Sequence, residues 1–524
     1  MLVAPTFRAT ASARAPVSRR VLRGRASRDV PLFPYRGRAP RRGPTDTSRA
    51  TAVVLLLLVV AAALAVRLAI PRGLWLDEAI SVSQAQVGFL SMLENIAVVD
   101  RHPPLHHAVL WLTVRLLGDG ELAVRIPSLV AGTLTVPALY LLGRELYDRR
   151  TGLLAAAFGA ASPLLVWYAQ EARMYAFVAL LAPLAVWAQA RALRESRPRW
   201  WAAYVLASAA LMWSHYFGLI LVAAQQLVFV VVLIGRRRDG VPVRSPLIGW
   251  LACLGALGLA VVPLLALASR QFASTGALEE LGLASDAPVN GQPLSFYAVL
   301  ANGAWAVWGY HPDSATALLA AAWPLLLLSG LLLLGRGGSR RTLMLTALMA
   351  APVVALLGLA FVDRELFEVR YFVAAVPLAL VLAARLVTGW TRPGAPRALL
   401  AGGLLVTMIA GLVDQQLNPD NPRLYDYRGA VAEVRAAAGP GAVLLYAPRD
   451  MRYVLEYYEP GMPARRLERD TPSRREAPRV AVLASFTEDP QVARRTNEVV
   501  GKLDFERRLL RRMELPNARV WIFG

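Results

Sequence analysis

The reading of one stretch, HPPLHHAVLWLTVRLLG from His102 to Gly118, decides how the whole chain is threaded. It is apolar enough to be counted as a membrane span. It also carries His106, His107 and Arg115 and opens on the proline pair Pro103–Pro104, which suits a helix start lying in an interface. Outward from it, apolar runs are read at 51–70, 122–143, 152–168, 174–190, 200–215, 217–235, 247–268, 314–334, 342–361, 371–389 and 398–413. Each approaches the roughly 20 residues needed to cross a hydrocarbon core of about 30 Å. With His102–Gly118 left out there are about eleven spans. The Arg-rich turns RELYDRR (144–150), RALRESRPR (191–199), GRRRDGVPVR (235–244), GRGGSRR (335–341) and TRPGAPR (391–397) then share the cytoplasmic side, as the positive-inside rule requires. Counting the stretch as a twelfth span would put every one of them outside. A second interfacial helix is expected near Val87–Val99. Trp75, Trp111, Trp167, Tyr168, Trp213 and Tyr216 fall near outer span ends, where an aromatic belt is expected.

Composition agrees with a polytopic helical membrane protein. The 524 residues are 56% hydrophobic and 18% charged, which excludes a soluble enzyme, a disordered tail protein and a disulfide scaffold. The single Cys253 allows neither an internal disulfide nor a cysteine-based metal site. The net charge of +21 is uneven: residues 1–50 hold twelve Arg and two Asp. This segment lacks the short apolar core of a secretory signal and reads as a disordered basic arm near anionic headgroups in the cytoplasm. Nothing aromatic or folded in it supports a nucleic-acid partner.

Past about Leu417 the chain changes character. Residues 420–524 carry 19 Lys+Arg and 15 Asp+Glu, so 417–524 reads as a small soluble domain. Helices are expected at Tyr427–Ala438, Met451–Tyr458 and Pro490–Leu503, with strands at Ala442–Tyr446, Arg479–Ala484 and Arg519–Phe523. Strand and helix in turn give an α/β layer. An odd number of spans puts it outside the membrane, leaving 51–416 as the membrane domain. No Gly-rich phosphate fingerprint is present, so no nucleotide is expected.

Chemistry concentrates in the outer loops. WLDEAIS places Asp77 and Glu78 side by side six residues past the first span. Neighbours on a helix point about 100° apart, so one acid can face a reaction centre while the other serves structure; an arbitrary acid pair in a loop is otherwise simply solvated. WYAQEARMYA sets Gln170, Glu171, Arg173 and Tyr175 between two spans. There, Glu171 and Arg173 either neutralise each other or present a second acid and an anion-binding arginine. Arg125, just inside the second span, needs a carboxylate or anion partner. Arg370, followed by Tyr371, opens the tenth span in the same way, and Arg364 reads as solvated. His102 and His106 at i, i+4 could form one zinc-binding face, though no paired ligand set accompanies them. His102 is preferred as a hydrogen-bonding residue at the cavity, and His215 sits at an outer span end. All five histidines, His311 included, fall on the outer side.

Taken in order, WLDE, HPPL, RIPSLVAG, LLGRELY, QEARMYA, SHYFG and RYFVAAVP resemble the GT-C glycosyltransferases. The likeness is to the family 39 and protein-mannosyltransferase-like group that includes bacterial lipid A aminoarabinose transferases, and it spans Leu74 to Pro377. The resemblance implies transfer of a sugar, with inversion, from a polyprenyl-phosphate donor in the bilayer to an acceptor on the outer face. The acceptor, whether glycan, lipid or protein, stays open, as does the sugar. On this likeness the catalytic aspartate falls on Asp77 as general base, Glu78 supports it, and the acidic position of the second outer loop falls on Glu171. Substrate contacts fall to His102, Arg125, Gln170, Arg173, Tyr175, His215, Arg370 and Tyr371, with the arginines as phosphate ligands. No metal ligand is assigned and no cofactor is required. A divalent cation remains open, although QEAR carries one acid where some relatives carry two. The alternative from another class is a transporter or flippase of a lipid-linked or anionic substrate; no internal repeat of the kind transporters show is found.

Overall fold

The computed structural model describes residues 48–280, 309, 340–362, 369–390, 394–418, 421, 424–439, 441–467, 471–487 and 489–524. Almost all of the basic arm, the span expected at 314–334, His311 and Arg364 lie outside the described residues.

The chain opens with α1 (Arg49–Leu68), capped by Ser48, whose hydroxyl accepts the Thr51 N–H at 3.0 Å. Three short helices follow before the next long one: α2 (Leu76–Gln86), α3 (Phe89–Val99) and α4 (Leu105–Leu117). The decisive stretch is therefore a helix of 13 residues, about 20 Å long at 1.5 Å per residue and too short to cross a bilayer. The next elements are α5 (Glu121–Leu146), α6 (Arg149–Ala161), α7 (Pro163–Ala169), α8 (Tyr175–Glu195), α9 (Pro198–Ser214), α10 (Phe217–Arg238) and α11 (Arg244–Glu280). Beyond these lie α12 (Arg340–Val362), a 3-10 turn at Val369–Ala374, α13 (Val376–Trp390) and α14 (Ala395–Leu417).

Ten of the eleven expected runs coincide with helical segments, but the count of eleven is not confirmed. Among the described residues seven helices are long and apolar enough to cross a membrane, or eight if α6 and α7 form one broken span. These two meet at a 60° bend at Ser162, where Pro163 starts the second piece and forbids a continuous hydrogen-bond ladder. Helices α9 and α13, at 17 and 15 residues, are too short for a perpendicular crossing.

Small residues let the bundle close. A Cβ on Gly143 would lie 2.9 Å from the Gly152 backbone, so α5 and α6 touch main chain to main chain. At this end of α5 gather the Arg-rich turns. Arg191 and Arg194 pair with Glu145 at 3.3 and 2.5 Å, Arg341 donates to the Leu146 carbonyl, and Arg236 donates to the Leu193 carbonyl. The opposite end of α5 begins at Glu121, about 39 Å away by helix length.

The C-terminal part contains α15 (Tyr427–Ala438), β1 (Val443–Ala447), α16 (Met451–Tyr458), β2 (Ala464–Arg466), β3 (Val480–Ser485), α17 (Pro490–Glu506), β4 (Leu509–Leu515) and β5 (Ala518–Phe523). Its five strands are ordered β2-β1-β3-β5-β4. The first three run parallel and the β3–β5–β4 edge is antiparallel. The expected elements are present, and β2 and β4 are additional. The sheet core does not close on itself alone: Leu76 and Ala79 of α2 are buried with Tyr427, Val431, Met451, Leu455 and Val520.

The aromatic residues near the expected outer span ends make contacts within the protein. Trp75 stacks on Tyr425, Trp111 donates to the Val87 carbonyl, Trp213 to the Ala260 carbonyl, and Tyr216 to Gln271. Trp167 and Tyr168 are buried. These rings are joined to the protein's own packing, by hydrogen bonds at Trp111, Trp213 and Tyr216 and by stacking at Trp75.

Candidate active site

Helix α2 carries the acid pair, and the two side chains diverge. Glu78 is fully buried and meets Arg125 side-on, Oε1 to Nε at 2.7 Å and Oε2 to Nη2 at 2.6 Å. Its Oε1 also accepts the Ala172 N–H at 2.7 Å, and its Oε2 accepts the Trp75 N–H at 3.3 Å, closing the first turn of α2. Arg125 spends its remaining donors on the carbonyls of Arg72 and Gly73, at 2.6 and 2.8 Å. Arg125, expected as a phosphate ligand, is seen here holding residues 72–78 with its fork. The partner that Arg125 requires in the membrane domain is Glu78.

Asp77 points elsewhere. Its side chain is 25% exposed, and Oδ2 lies 3.6 Å from Arg173 Nη2 and 3.5 Å from Arg370 Nη1. Arg173, in the turn between α7 and α8, is almost wholly buried. Its Nη1 donates to Ser81 Oγ at 2.9 Å, and its carbonyl accepts from Ser128. Arg370 lies on the 3-10 turn with its side chain 22% exposed. Among the described residues two guanidiniums face this one carboxylate, an arrangement chemically suited to an anion.

Gln170 and Glu171 belong to a neighbouring buried cluster. Glu171 Oε1 accepts from Trp167 Nε1 at 2.5 Å, while the Arg72 guanidinium lies over the Trp167 ring, 3.8 Å from its centroid. Arg72 donates to Gln170 at 3.2 Å and also to Gln416. The Gln170 amide donates to the Arg67 carbonyl and accepts from Gln416. Gln170, expected as a substrate contact, joins the α7–α8 turn to α1 and α14 through its amide.

A wall of rings flanks the arginines. The His215 ring lies 5.5 Å from His102, 6.0 Å from Tyr175 and 5.8 Å from Tyr371, centroid to centroid. His102 is held by Asp100, which no sequence pattern singled out. Its Nδ1 is 2.7 Å from Asp100 Oδ1, and His107 Nε2 is 3.1 Å from Asp100 Oδ2. Asp100 also accepts the N–H groups of Arg101 and His102. Burial alone would raise the Asp100 carboxyl, but His107 and His102 outweigh it and hold it well below the usual carboxylate range. Burial lowers His102 in turn, exceeding the pull of Asp100, and the charges of Arg173 and Arg370 push the same way. His106 points away, edge-on to Phe177. The His102 and His106 rings have separate neighbours, His215 and Phe177. Among the described residues no three His, Cys, Asp or Glu side chains converge as metal ligands.

With this geometry in view, the comparisons agree with the resemblance drawn from the ordered motifs. Residues 101–266 match the family model described as dolichyl-phosphate-mannose-protein mannosyltransferase. The fold is similar to that of ArnT from Cupriavidus metallidurans in the apo state, with TM-score 0.55 and 15% identity over 91% of this chain and 98% of that one. The same protein bound to undecaprenyl phosphate gives TM-score 0.55 and 13% identity over the same shares. No curated protein matches the chain in sequence. The chain therefore shares its fold with ArnT, and the match, at 91% of this chain, extends beyond the membrane domain into the C-terminal sheet domain.

Proposed function

We propose that this protein transfers a sugar from a polyprenyl-phosphate donor to an acceptor hydroxyl, with Asp77 as general base and inversion at the anomeric carbon. The observation that carries the reading is the division of labour between neighbours. Glu78 is locked to Arg125, whereas Asp77 is partly exposed between Arg173 and Arg370. A donor phosphate entering between the two arginines takes over their charge and leaves the Asp77 carboxylate free to accept a proton. The acceptor oxygen forms the new bond to the anomeric carbon as its proton passes to Asp77. The carbon–oxygen bond to phosphate breaks with both electrons on the leaving polyprenyl phosphate, already a stable anion, so no acid is needed. His102, His215, Tyr175 and Tyr371 supply the ring wall beside the sugar.

The likeness to a fold solved with undecaprenyl phosphate bound supports this donor class, and the family model over 101–266 supports glycosyl transfer. The Arg-rich turns gather at the far end of the bundle, which supports a cytoplasmic arm, an outward-facing site and an extracytoplasmic domain at 417–524. Comparing surface glycans and polyprenyl-phosphate sugars with and without the gene tests the reading. A missing glycan with accumulated lipid donor is expected; unchanged glycans and unchanged donor pools would overturn it.

A further inference from the structure

The segment that carries Asp77 is gripped from two sides. From the membrane domain, Arg125 holds the carbonyls of Arg72 and Gly73 and the carboxylate of Glu78. From the C-terminal domain, the Tyr458 hydroxyl accepts the Leu74 N–H and donates to Glu121 Oε1, both at 2.6 Å. Arg428 pairs with the other Glu121 oxygen at 2.9 Å. A Cβ on Gly73 would lie 3.1 Å from the Tyr458 oxygen and 3.1 Å from the Arg428 Cβ, so the two domains close directly over the start of α2. Leu76 and Ala79 are then buried in the sheet domain's core. The peptides of residues 72–74, just before Asp77, are thus held from both domains.

We infer that Tyr458 is a positioning residue for Asp77: its hydroxyl fixes the Leu74 peptide and so sets where the first turn of α2 presents the carboxylate. This rests on the reading of Asp77 as the base. The physical reason is leverage. Helix α2 is only 11 residues long and its first turn is closed by Glu78 on the Trp75 N–H, so its direction depends on that turn and on the peptides that lead into it. Loss of the hydroxyl leaves the Leu74 N–H and Glu121 without that partner inside a closed contact. A base displaced by about 1 Å can lose as much as a hundredfold in rate.

The test uses the detergent-solubilised full chain, the polyprenyl-phosphate sugars extracted from the source cells as donor and an envelope extract of the same cells as the source of acceptor hydroxyls, read as released polyprenyl phosphate per undecaprenyl-phosphate binding site. Tyr458→Phe keeps the ring and should lower kcat about tenfold or more while KM for the donor stays within about threefold. Tyr457→Phe is the control. It removes a hydrogen bond at the same domain contact, to the Asp119 carbonyl at 2.9 Å, but not one to the α2 approach, and should keep kcat near wild type. In an Asp77→Asn background, Tyr458→Phe should cost nothing further, because it acts through Asp77. Hydrogen exchange over 72–80 should quicken in Tyr458→Phe and not in Tyr457→Phe. Wild-type kcat in Tyr458→Phe, equal losses in the two tyrosine variants, or a full further loss on top of Asp77→Asn would each overturn the proposal. Unchanged kcat in Asp77→Asn would instead remove the base assignment, whatever Tyr458 does.

Discussion

Glu78 and Arg125 meet in two parallel contacts of 2.7 and 2.6 Å, 47 residues apart in sequence and buried. This pair takes the second carboxylate of the WLDE motif out of the chemistry and makes it the fastening of the loop that holds the first. A buried pair of this kind is expensive to break from one side, because the survivor keeps its charge without a partner.

Arg125→Ala should therefore destabilise the fold by about 3–5 kcal/mol and depress the yield of monodisperse protein. The double variant Glu78→Gln/Arg125→Gln should recover part of the loss. Thermal unfolding in detergent measures this. A fully stable Arg125→Ala that only fails to bind lipid phosphate would return Arg125 to the donor site.

Arg370 and Arg173 should behave differently from Arg125 and from each other. Arg370→Ala should weaken undecaprenyl-phosphate binding by about 1.5–3 kcal/mol, roughly ten- to a hundredfold in Kd, with little change in melting temperature. Arg173→Ala should weaken binding and lower stability together, since the buried Arg173 guanidinium also donates to Ser81. Titration with undecaprenyl phosphate checks both; wild-type affinity in each variant would move the phosphate elsewhere.

The histidine cluster gives a pH dependence with a definite sign. Burial lowers His106 and His102 below their ordinary value of 6.5, so below that pH the unfolded chain takes up protons that the folded chain refuses. Stability is present above about pH 6.5 and falls as the solution is acidified. Asp100, held low by His107 and His102 against its burial, has the same sign, beginning near its ordinary 3.8. Melting temperature should drop from pH 7 to pH 5, and His106→Met should flatten that slope. A slope unchanged in His106→Met would place the acid sensitivity in other groups.

Much of the C-terminal domain was legible because its signals are local. Asp426 caps α15 through the Gly429 N–H, and Gly439, at φ 73°, stops it. The strand β4 was not read: LLRRMEL lies on the sheet edge, largely exposed, without the alternation of a half-buried strand. The three residues of β2 are too few to make a pattern. In the site, the divergence of Asp77 and Glu78 follows from the helical turn angle alone. Which acid meets Arg125 does not, because it depends on how α5 packs. Tyr458 and Glu121, 337 residues apart, have no shared signal in sequence, and Asp100 hid in an unremarkable VVDR.

The account turns on Asp77 as the proton acceptor, and one substitution addresses it most directly. Asp77→Asn keeps the size of the side chain and removes its basicity. With lipid-linked sugar extracted from the source cells, single-turnover release of polyprenyl phosphate should fall by at least about a hundredfold, the typical worth of a positioned base. Affinity for undecaprenyl phosphate should stay near that of the wild type. Release at the wild-type rate in Asp77→Asn would contradict the account.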